Sequence, residues 1–302
     1  MSMATDYTDD LRLAHVLADD ADSLTQARFK ALDLHVMSKP DLTPVTDADQ
    51  AVEEGIRRTL SRVRSRDAVV GEEQGTTGHS QRRWVIDPID GTKNFVRGVP
   101  VWATLISLVV DDEVVLGVVS APQLQRRWWA SRDNGAWTGR SLLKATQIHT
   151  SDVRRLEDAS LAYSSLSGWE ERGRLEDFLS LTRRCWRTRA YGDFWSYMLV
   201  AEGAVDIAAE PELELYDMAA LDIIVREAGG QFTSLAGTPG PFGGNAVASN
   251  GHLHEAALAF LGSSDTTDEG RPPQGGSVHD LRSRRRTPAD QDVRPEDEPP
   301  LG

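Results

Sequence analysis

Apolar residues recur at helical spacing early in the chain, then at strand spacing, then at both in alternation. In DDLRLAHVLADDADSLTQARF, Leu13, Leu17, Ala21 and Leu24 fall three or four apart, the period of an amphipathic helix. A second helix is expected from near Thr46, with Val52, Ile56, Leu60 and Val63 on one face. Strand patterns follow: AVVG at 68–71, RWVID at 83–87, ATLISLVV at 103–110 and VVLGVVSA at 114–121. Asp111 and Asp112, between the last two, read as a hairpin turn. RRWWASR at 126–132 reads as the next strand. Past about residue 150, helices at 170–182, 194–203, 217–228 and 251–261 alternate with short strands near 159–163, 205–208, 231–234 and 245–249. Helices, then hairpin-linked strands, then alternating α and β predict a layered α/β/α packing.

From Ser263 the pattern stops. Residues 263–302 are rich in Pro, Gly, Asp and Arg and nearly free of large apolar side chains. Such a segment buries too little surface to offset its ordering entropy, so a disordered tail is expected, with RSRRR a solvated charge run. No apolar run reaches the roughly 18 residues of a membrane span. The acidic start MSMATDYTDD lacks the layout of a signal peptide. The single cysteine, Cys185, excludes an intrachain disulfide and suits a reducing cytoplasm. A net charge of −14 argues against nucleic acid as a partner. It leaves anionic substrates open, because bound divalent cations invert a local field.

The chemistry concentrates in WVIDPIDGT, residues 84–92, where a buried strand runs into two aspartates, Asp87 and Asp90, around a proline. Pro88 fixes φ and Gly91 allows a conformation other residues avoid. Such a turn can aim both carboxylates and the Ile89 carbonyl at one point, a hard oxygen set suited to Mg²⁺ or Mn²⁺. Thr92 follows with a hydroxyl and backbone N–H groups fit for a phosphate. Glu72 and Glu73 close another strand, and Asp217 opens the helix of YDMAALDIIVREAGG. An acid at a helix start is as readily a cap, which leaves both readings open for Asp217 and for Asp49 within Thr46-Asp47-Ala48-Asp49. Yet acids at 49, 72, 87, 90 and 217 all flank strand ends or helix starts, where α/β folds gather sites. No Walker A, GxGxxG or zinc pattern is present. A carboxylate cluster without histidine points to phosphoryl chemistry with two or more ions.

GEE, WVIDPIDGTKNF and YDMAALDIIVREAGG closely resemble the signatures of the Mg²⁺-dependent, lithium-sensitive inositol monophosphatase superfamily, over roughly residues 8–262. KPDLTPVTDAD, FVRGVPVWATLISLV, APQLQRRWWA and RAYGDFWSYMLVAEGAVDIAAEP are most similar to its histidinol-phosphate phosphatases of the actinobacterial type. The resemblance implies an αβαβα sandwich of the inositol monophosphatase and fructose-1,6-bisphosphatase type. It further implies one phosphatase domain over 1–262 with halves at about 8–150 and 151–262, and a cytoplasmic homodimer. The activity implied is hydrolysis of L-histidinol phosphate to L-histidinol and phosphate in histidine biosynthesis. An inositol-1-phosphate or broad sugar-phosphate phosphatase is the alternative, and a regulatory scaffold is disfavoured because every metal position is filled.

By position, the resemblance gives Glu72, Asp87, the Ile89 carbonyl, Asp90 and Asp217 to two or three Mg²⁺ ions, with Mn²⁺ a substitute. Asp49 and Thr92 would activate the attacking water, with Glu72 helping. Gly91 and Thr92 N–H groups would meet phosphate. Glu72, Ile89, Asp90 and Asp217 also border the substrate, as would Arg189, Gly192, Asp193, Phe194 and Glu210. Lys39 falls near the third ion. One departure is informative: a carboxylate at Asp193 suits an ammonium-bearing substrate better than inositol, unless Asp193 only N-caps the helix beginning FWSYML. Trp128 and Trp129 are expected on opposite faces of a strand, at least one of them in a core, with a ring stacked on the substrate imidazole as the alternative. Trp102 is expected in core or dimer interface, and Arg126 and Arg127 in surface ion pairs.

Overall fold

A computed structural model describes residues 6–39 and 44–262; the expected tail, 263–302, lies outside the described residues. Two helices come first, α1 (Thr8–Arg28) and α2 (Asp47–Val63), with a short ribbon of β1 (Val36–Ser38) and β2 (Pro44–Thr46) between them. An eight-stranded sheet then forms from β3 (Ala68–Gly71), β4 (Gly75–Thr77), β5 (Arg82–Asp90), β6 (Ala103–Val110), β7 (Glu113–Ala121), β8 (Arg126–Ser131), β9 (Ala136–Ser141) and β10 (Lys144–Ile148). Its spatial order is β10-β9-β8-β7-β6-β5-β3-β4. A one-turn α3 (Thr92–Arg97) interrupts it after β5. The second half builds a five-stranded sheet, ordered β12-β11-β13-β15-β14, from β11 (Ser160–Ala162), β12 (Arg187–Arg189), β13 (Ile207–Glu210), β14 (Gln231–Thr233) and β15 (Ala246–Ser249). Its helices are α4 (Leu166–Glu171), α5 (Leu175–Thr182), α6 (Asp193–Ala201), α7 (Leu215–Glu227) and α8 (His254–Leu261).

Alternation along the strands sets the layers. On one face of the large sheet Trp84, Ile86, Ile106 and Trp129 pack against Leu17 of α1 and Ile56 and Leu60 of α2. On the other, Val85, Leu105, Val119 and Trp128 pack against Met198 of α6 and Ile223 and Ile224 of α7, which also cover Phe232 and Ala248 of the small sheet. The far face of the small sheet carries Leu161, Ile207 and Val247 against Phe178 of α5 and Leu261 of α8. The order is therefore helix, sheet, helix, sheet, helix: the αβαβα sandwich. Gly117 lets α7 lie this close, since a Cβ there would stand 2.8 Å from Ile223 Cγ2 and 2.9 Å from the Ala220 carbonyl.

Several expectations are corrected. Trp128 and Trp129 do face opposite ways, but both are core residues, so neither stacks on a substrate. Arg127 is buried, not a surface residue, between Asp19, Asp22 and His15. Val63 is half exposed at the last position of α2. The helix expected over 170–182 breaks in two at Gly173, whose φ of 66° is left-handed. Trp102, by contrast, is in the core, one of its two expected places, packed edge-on against Phe95 at 5.0 Å.

Candidate active site

The acid-bearing turn is built by its neighbours. β3 runs parallel to β5 with Gly71 opposite Ile86, so the residues that follow, Glu72 and Asp87, emerge side by side. Glu72 N–H donates to the Ile86 carbonyl at 3.3 Å. β5 pairs antiparallel with β6, and the register slips between Asp87 and Asp90. Pro88 sits in that slip, where a residue without an N–H is tolerated. Its carbonyl accepts from the Thr104 hydroxyl at 2.8 Å, and Ile89 N–H donates back to Asp87 Oδ1 at 3.0 Å. Asp87 and Asp90 thus leave one strand end aimed at α7.

Asp217 comes from α7. The helix starts at Leu215, so Asp217 is its third residue rather than its first, and its Oδ2 accepts from Glu214 N–H at 2.8 Å in a capping box. Cap and site geometry coexist, because one oxygen of each of Asp87, Asp90 and Asp217 lies within 4.8 Å of the others. Burial pushes the Asp87 and Asp90 carboxyls well up, and the mutual repulsion of the acids adds to it. Burial raises Asp217 too, and Glu72 adds to that shift. Asp87 reaches hydrogen-bonding contact with both Glu72 and Asp217. Carboxylates so close require a proton or a cation between them. The donor set is all oxygen and matches a hard divalent ion.

Asp49 also serves twice. Its Oδ2 accepts from Thr46 N–H (2.8 Å) and Oγ1 (2.6 Å), completing the capping box of α2. Its Oδ1 lies 3.5 Å from the Thr92 hydroxyl, which donates to the Ile89 carbonyl at 2.9 Å. Burial pushes Asp49 up to about 7, against the pull of the Thr46 bonds. Lys39 Nζ bridges Glu72 and Glu73 at 2.5 and 2.7 Å. Gly91 has φ 85° and N-caps α3; a Cβ there would meet the Val101 carbonyl at 3.1 Å and Asp193 Oδ2 at 3.3 Å.

The remaining candidates gather at the start of α6. Gly192, with φ 82°, is the N-cap, and Asp193 is the first helical residue with no side-chain cap bond. The capping reading of Asp193 is therefore corrected. Its Oδ2 accepts from Asn94 Nδ2 at 3.0 Å, and its backbone N–H donates to Ser164 Oγ at 2.9 Å. Phe194 N–H donates to Asp90 Oδ2 at 2.6 Å, tying α6 to the acid turn. Glu210 ends β13 beside Ser164 and Tyr197; burial pushes it up to about 8, with Asp193 and Asp217 adding repulsion. Arg189 stands apart. It leaves exposed edge strand β12, two strands or roughly 10 Å from β13, and its guanidinium donates to the Thr188 carbonyl.

Three supporting residues were not singled out by sequence. Buried Glu53 accepts from Glu73 and Gln74 N–H groups and fixes the loop carrying Glu72. Its signal was an acid inside the apolar stripe Val52–Ile56. Asn94 lies within the DGTKNF motif but had no partner to assign. Tyr197 was indistinguishable from core.

Residues 8–265 match the inositol monophosphatase family. The chain belongs to that family. It is 67% identical over 260 residues to a histidinol-phosphatase from Streptomyces coelicolor, covering 85% of this chain and 98% of that protein. It is 60% identical over 254 residues to one from Mycobacterium tuberculosis, covering 84% and 98%. Among solved structures, an inositol monophosphatase from Zymomonas mobilis superposes with a TM-score of 0.75 at 35% identity, over 85% of this chain and 99% of that one. The inositol monophosphatase family is one of metal-dependent phosphatases, and the acid cluster sits where its two signatures converge.

Proposed function

We propose that this chain is a Mg²⁺-dependent histidinol-phosphatase, releasing phosphate from L-histidinol phosphate. The observation that carries the substrate reading is the 67% identity over 260 residues to a protein of that name. The site supports it chemically. Asp193 and Glu210 add two acids beside the three that fit a metal, and Asp193 is held toward the site by Asn94 rather than spent on a helix cap. Extra negative charge of this kind favours a substrate with an ammonium and a protonatable ring over one with hydroxyls alone. Mn²⁺ fits the same donors.

In this reading Glu72, Asp87, the Ile89 carbonyl, Asp90 and Asp217 hold two or three ions. When bound, these supply Lewis acidity and lower the pKa of water. Thr92 and Asp49 then handle the proton. Turning the Thr92 hydrogen from Ile89 toward Asp49 Oδ1 lets the hydroxyl take a proton from the attacking water and pass its own on. Asp49, buried and pushed up to about 7, is suited to accept it. The N–H groups of Gly91 and Thr92, at the start of α3, have no intrahelical acceptor and face phosphate. Gly192, Asp193, Phe194 and Glu210 border the leaving group. The phosphatase domain is 1–262, with halves at about 8–150 and 151–262, working as a cytoplasmic homodimer. The test is phosphate release with Mg²⁺ from L-histidinol phosphate against myo-inositol 1-phosphate. A strong preference for the former is expected. The reverse preference would leave an inositol phosphatase, the reading that the Zymomonas mobilis structure favours.

A further inference from the structure

The loop between β3 and β4 carries Glu72 and Glu73, and its backbone N–H groups divide between two elements. Glu72 N–H stays in the sheet, on the Ile86 carbonyl of β5. The next two turn to a single side chain of α2: Glu73 N–H donates to Glu53 Oε2 at 2.7 Å and Gln74 N–H to Glu53 Oε1 at 3.0 Å. Gly71 makes room for that carboxylate, since a Cβ there would overlap it.

Glu53 is fully buried on the face of α2 that packs on the large sheet. A buried carboxylate needs a cation and filled lone pairs. Arg57, one turn further along α2, supplies the cation. Its Nε donates to Glu53 Oε1 at 2.7 Å, its Nη1 to Thr77 Oγ1 at 2.9 Å, and its Nη2 to the Gly75 carbonyl. The two side chains together hold residues 73, 74, 75 and 77. Glu72, at the head of the loop, keeps its own side chain for Asp87. Lys39 touches both Glu72 and Glu73, so it does not choose between them; the grip on the backbone of Glu73 does.

We propose, on the metal reading of Glu72 given above, that Glu53 and Arg57 are positioning residues that set the affinity of the ion Glu72 holds. Neither touches that ion. A carboxylate on a free loop must be ordered against the charge of Asp87 each time a cation binds. On a clamped loop that ordering is already done, and partners behind a ligand tune a metal site in this way. The same helix carries Asp49 one turn before Glu53, so α2 places both the proton acceptor and, through the clamp, a metal ligand.

Mn²⁺ titrated into the substrate-free full chain, with the free ion followed by its EPR signal, tests this without turnover. Glu72→Gln is expected to weaken or lose one ion. Glu53→Gln and Arg57→Lys leave every proposed ligand in place and are expected to weaken that same ion about tenfold. Leu60→Ala, a core variant of the same helix, should lower the urea midpoint without changing Mn²⁺ binding. In phosphate release, the two clamp variants should need more Mg²⁺ for half-maximal rate, yet keep the native KM for substrate once Mg²⁺ saturates. Arg57→Lys keeps a charge beside Glu53 but not the forked contact with Gly75 and Thr77, so it folds even if Glu53→Gln does not. The proposal is overturned if both clamp variants bind Mn²⁺ as the native chain does while Glu72→Gln does not, or if Leu60→Ala weakens Mn²⁺ as much as they do. If Glu72→Gln itself binds like the native chain, the metal reading of Glu72 fails first and takes the proposal with it.

Discussion

Single residues here carry two jobs, and the tension between them is measurable. Asp90 accepts from Phe194 N–H and repels Asp87 and Asp217. Asparagine keeps the acceptor and removes the charge. Asp90→Asn is expected to lower kcat/KM by roughly 10²-fold or more and to raise the stability of metal-free protein by about 1 kcal/mol or more. Phosphate release and urea unfolding in EDTA check the two halves; turnover undiminished in the variant would remove Asp90 from the metal set. His15 gives a pH signature elsewhere. Its Nδ1 faces Arg127 Nη1 at 3.2 Å and so must accept, and burial first, then the Arg127 charge, hold its pKa down to about 4. Between that value and the unfolded 6.5 the unfolded chain binds more protons, so stability falls as pH falls. The loss between pH 7 and pH 5 is roughly 2 kcal/mol. Asp22, pushed up by burial, titrates with the opposite sign. His15→Gln, which leaves Asp22 in place, should therefore flatten the acid side of the urea-midpoint profile; an unchanged profile would place the slope elsewhere.

At the scale of elements, what was legible depended on how local the signal was. The hairpin at Asp111-Asp112 was readable because both residues take left-handed φ, 52° and 62°, which aspartate tolerates and a tight turn requires. The acid turn was readable because Asp87, Pro88, Asp90 and Gly91 are neighbours in sequence. β9, β10 and β12 were not, since their mostly polar residues carry no apolar period. Glu72 was legible as one more acid at a strand end, but not its place beside Asp87, which depends on β3 pairing parallel with β5. Asp193 against Asn94, 99 positions apart, left no trace at all. The seating of α7 on β7 is of this long-range kind, and it sets where Asp217 stands. Gly117→Ala would push Ala220 and Ile223 outward, and α7 with them. A destabilisation of about 1–3 kcal/mol is expected, with kcat/KM falling as well, because Asp217 moves with its helix. Urea unfolding and turnover read both; unchanged activity would mean that the site absorbs the shift.

The whole molecule converges on the acids from separate layers. Asp49 comes from α2, Asp87 and Asp90 from the large sheet, and Asp217 from the helices between the sheets. The family match ends at residue 265, and relatives aligned over 98% of their length use only 85% of this chain. Deleting 263–302 is therefore expected to leave phosphate release unchanged; lost turnover would assign those residues to the enzyme. Metal removal reaches further. Without a cation the layers meet at a point of repulsion among buried carboxylates, in a chain of net charge −14. A divalent ion held by Asp87, Asp90 and Asp217 would turn that repulsion into attraction and tie the large sheet to α7. An ion that binds only the folded chain stabilises it by about 2.7 kcal/mol at a hundredfold excess over its Kd. Mg²⁺ should therefore raise the thermal midpoint in a concentration-dependent way, and EDTA should reverse it. Asp217→Asn should blunt the Mg²⁺ response while leaving that to urea intact. If the midpoint ignored Mg²⁺ in the native chain, the three aspartates would be a structural cluster held together by protons, and the metal assignment would fall with it.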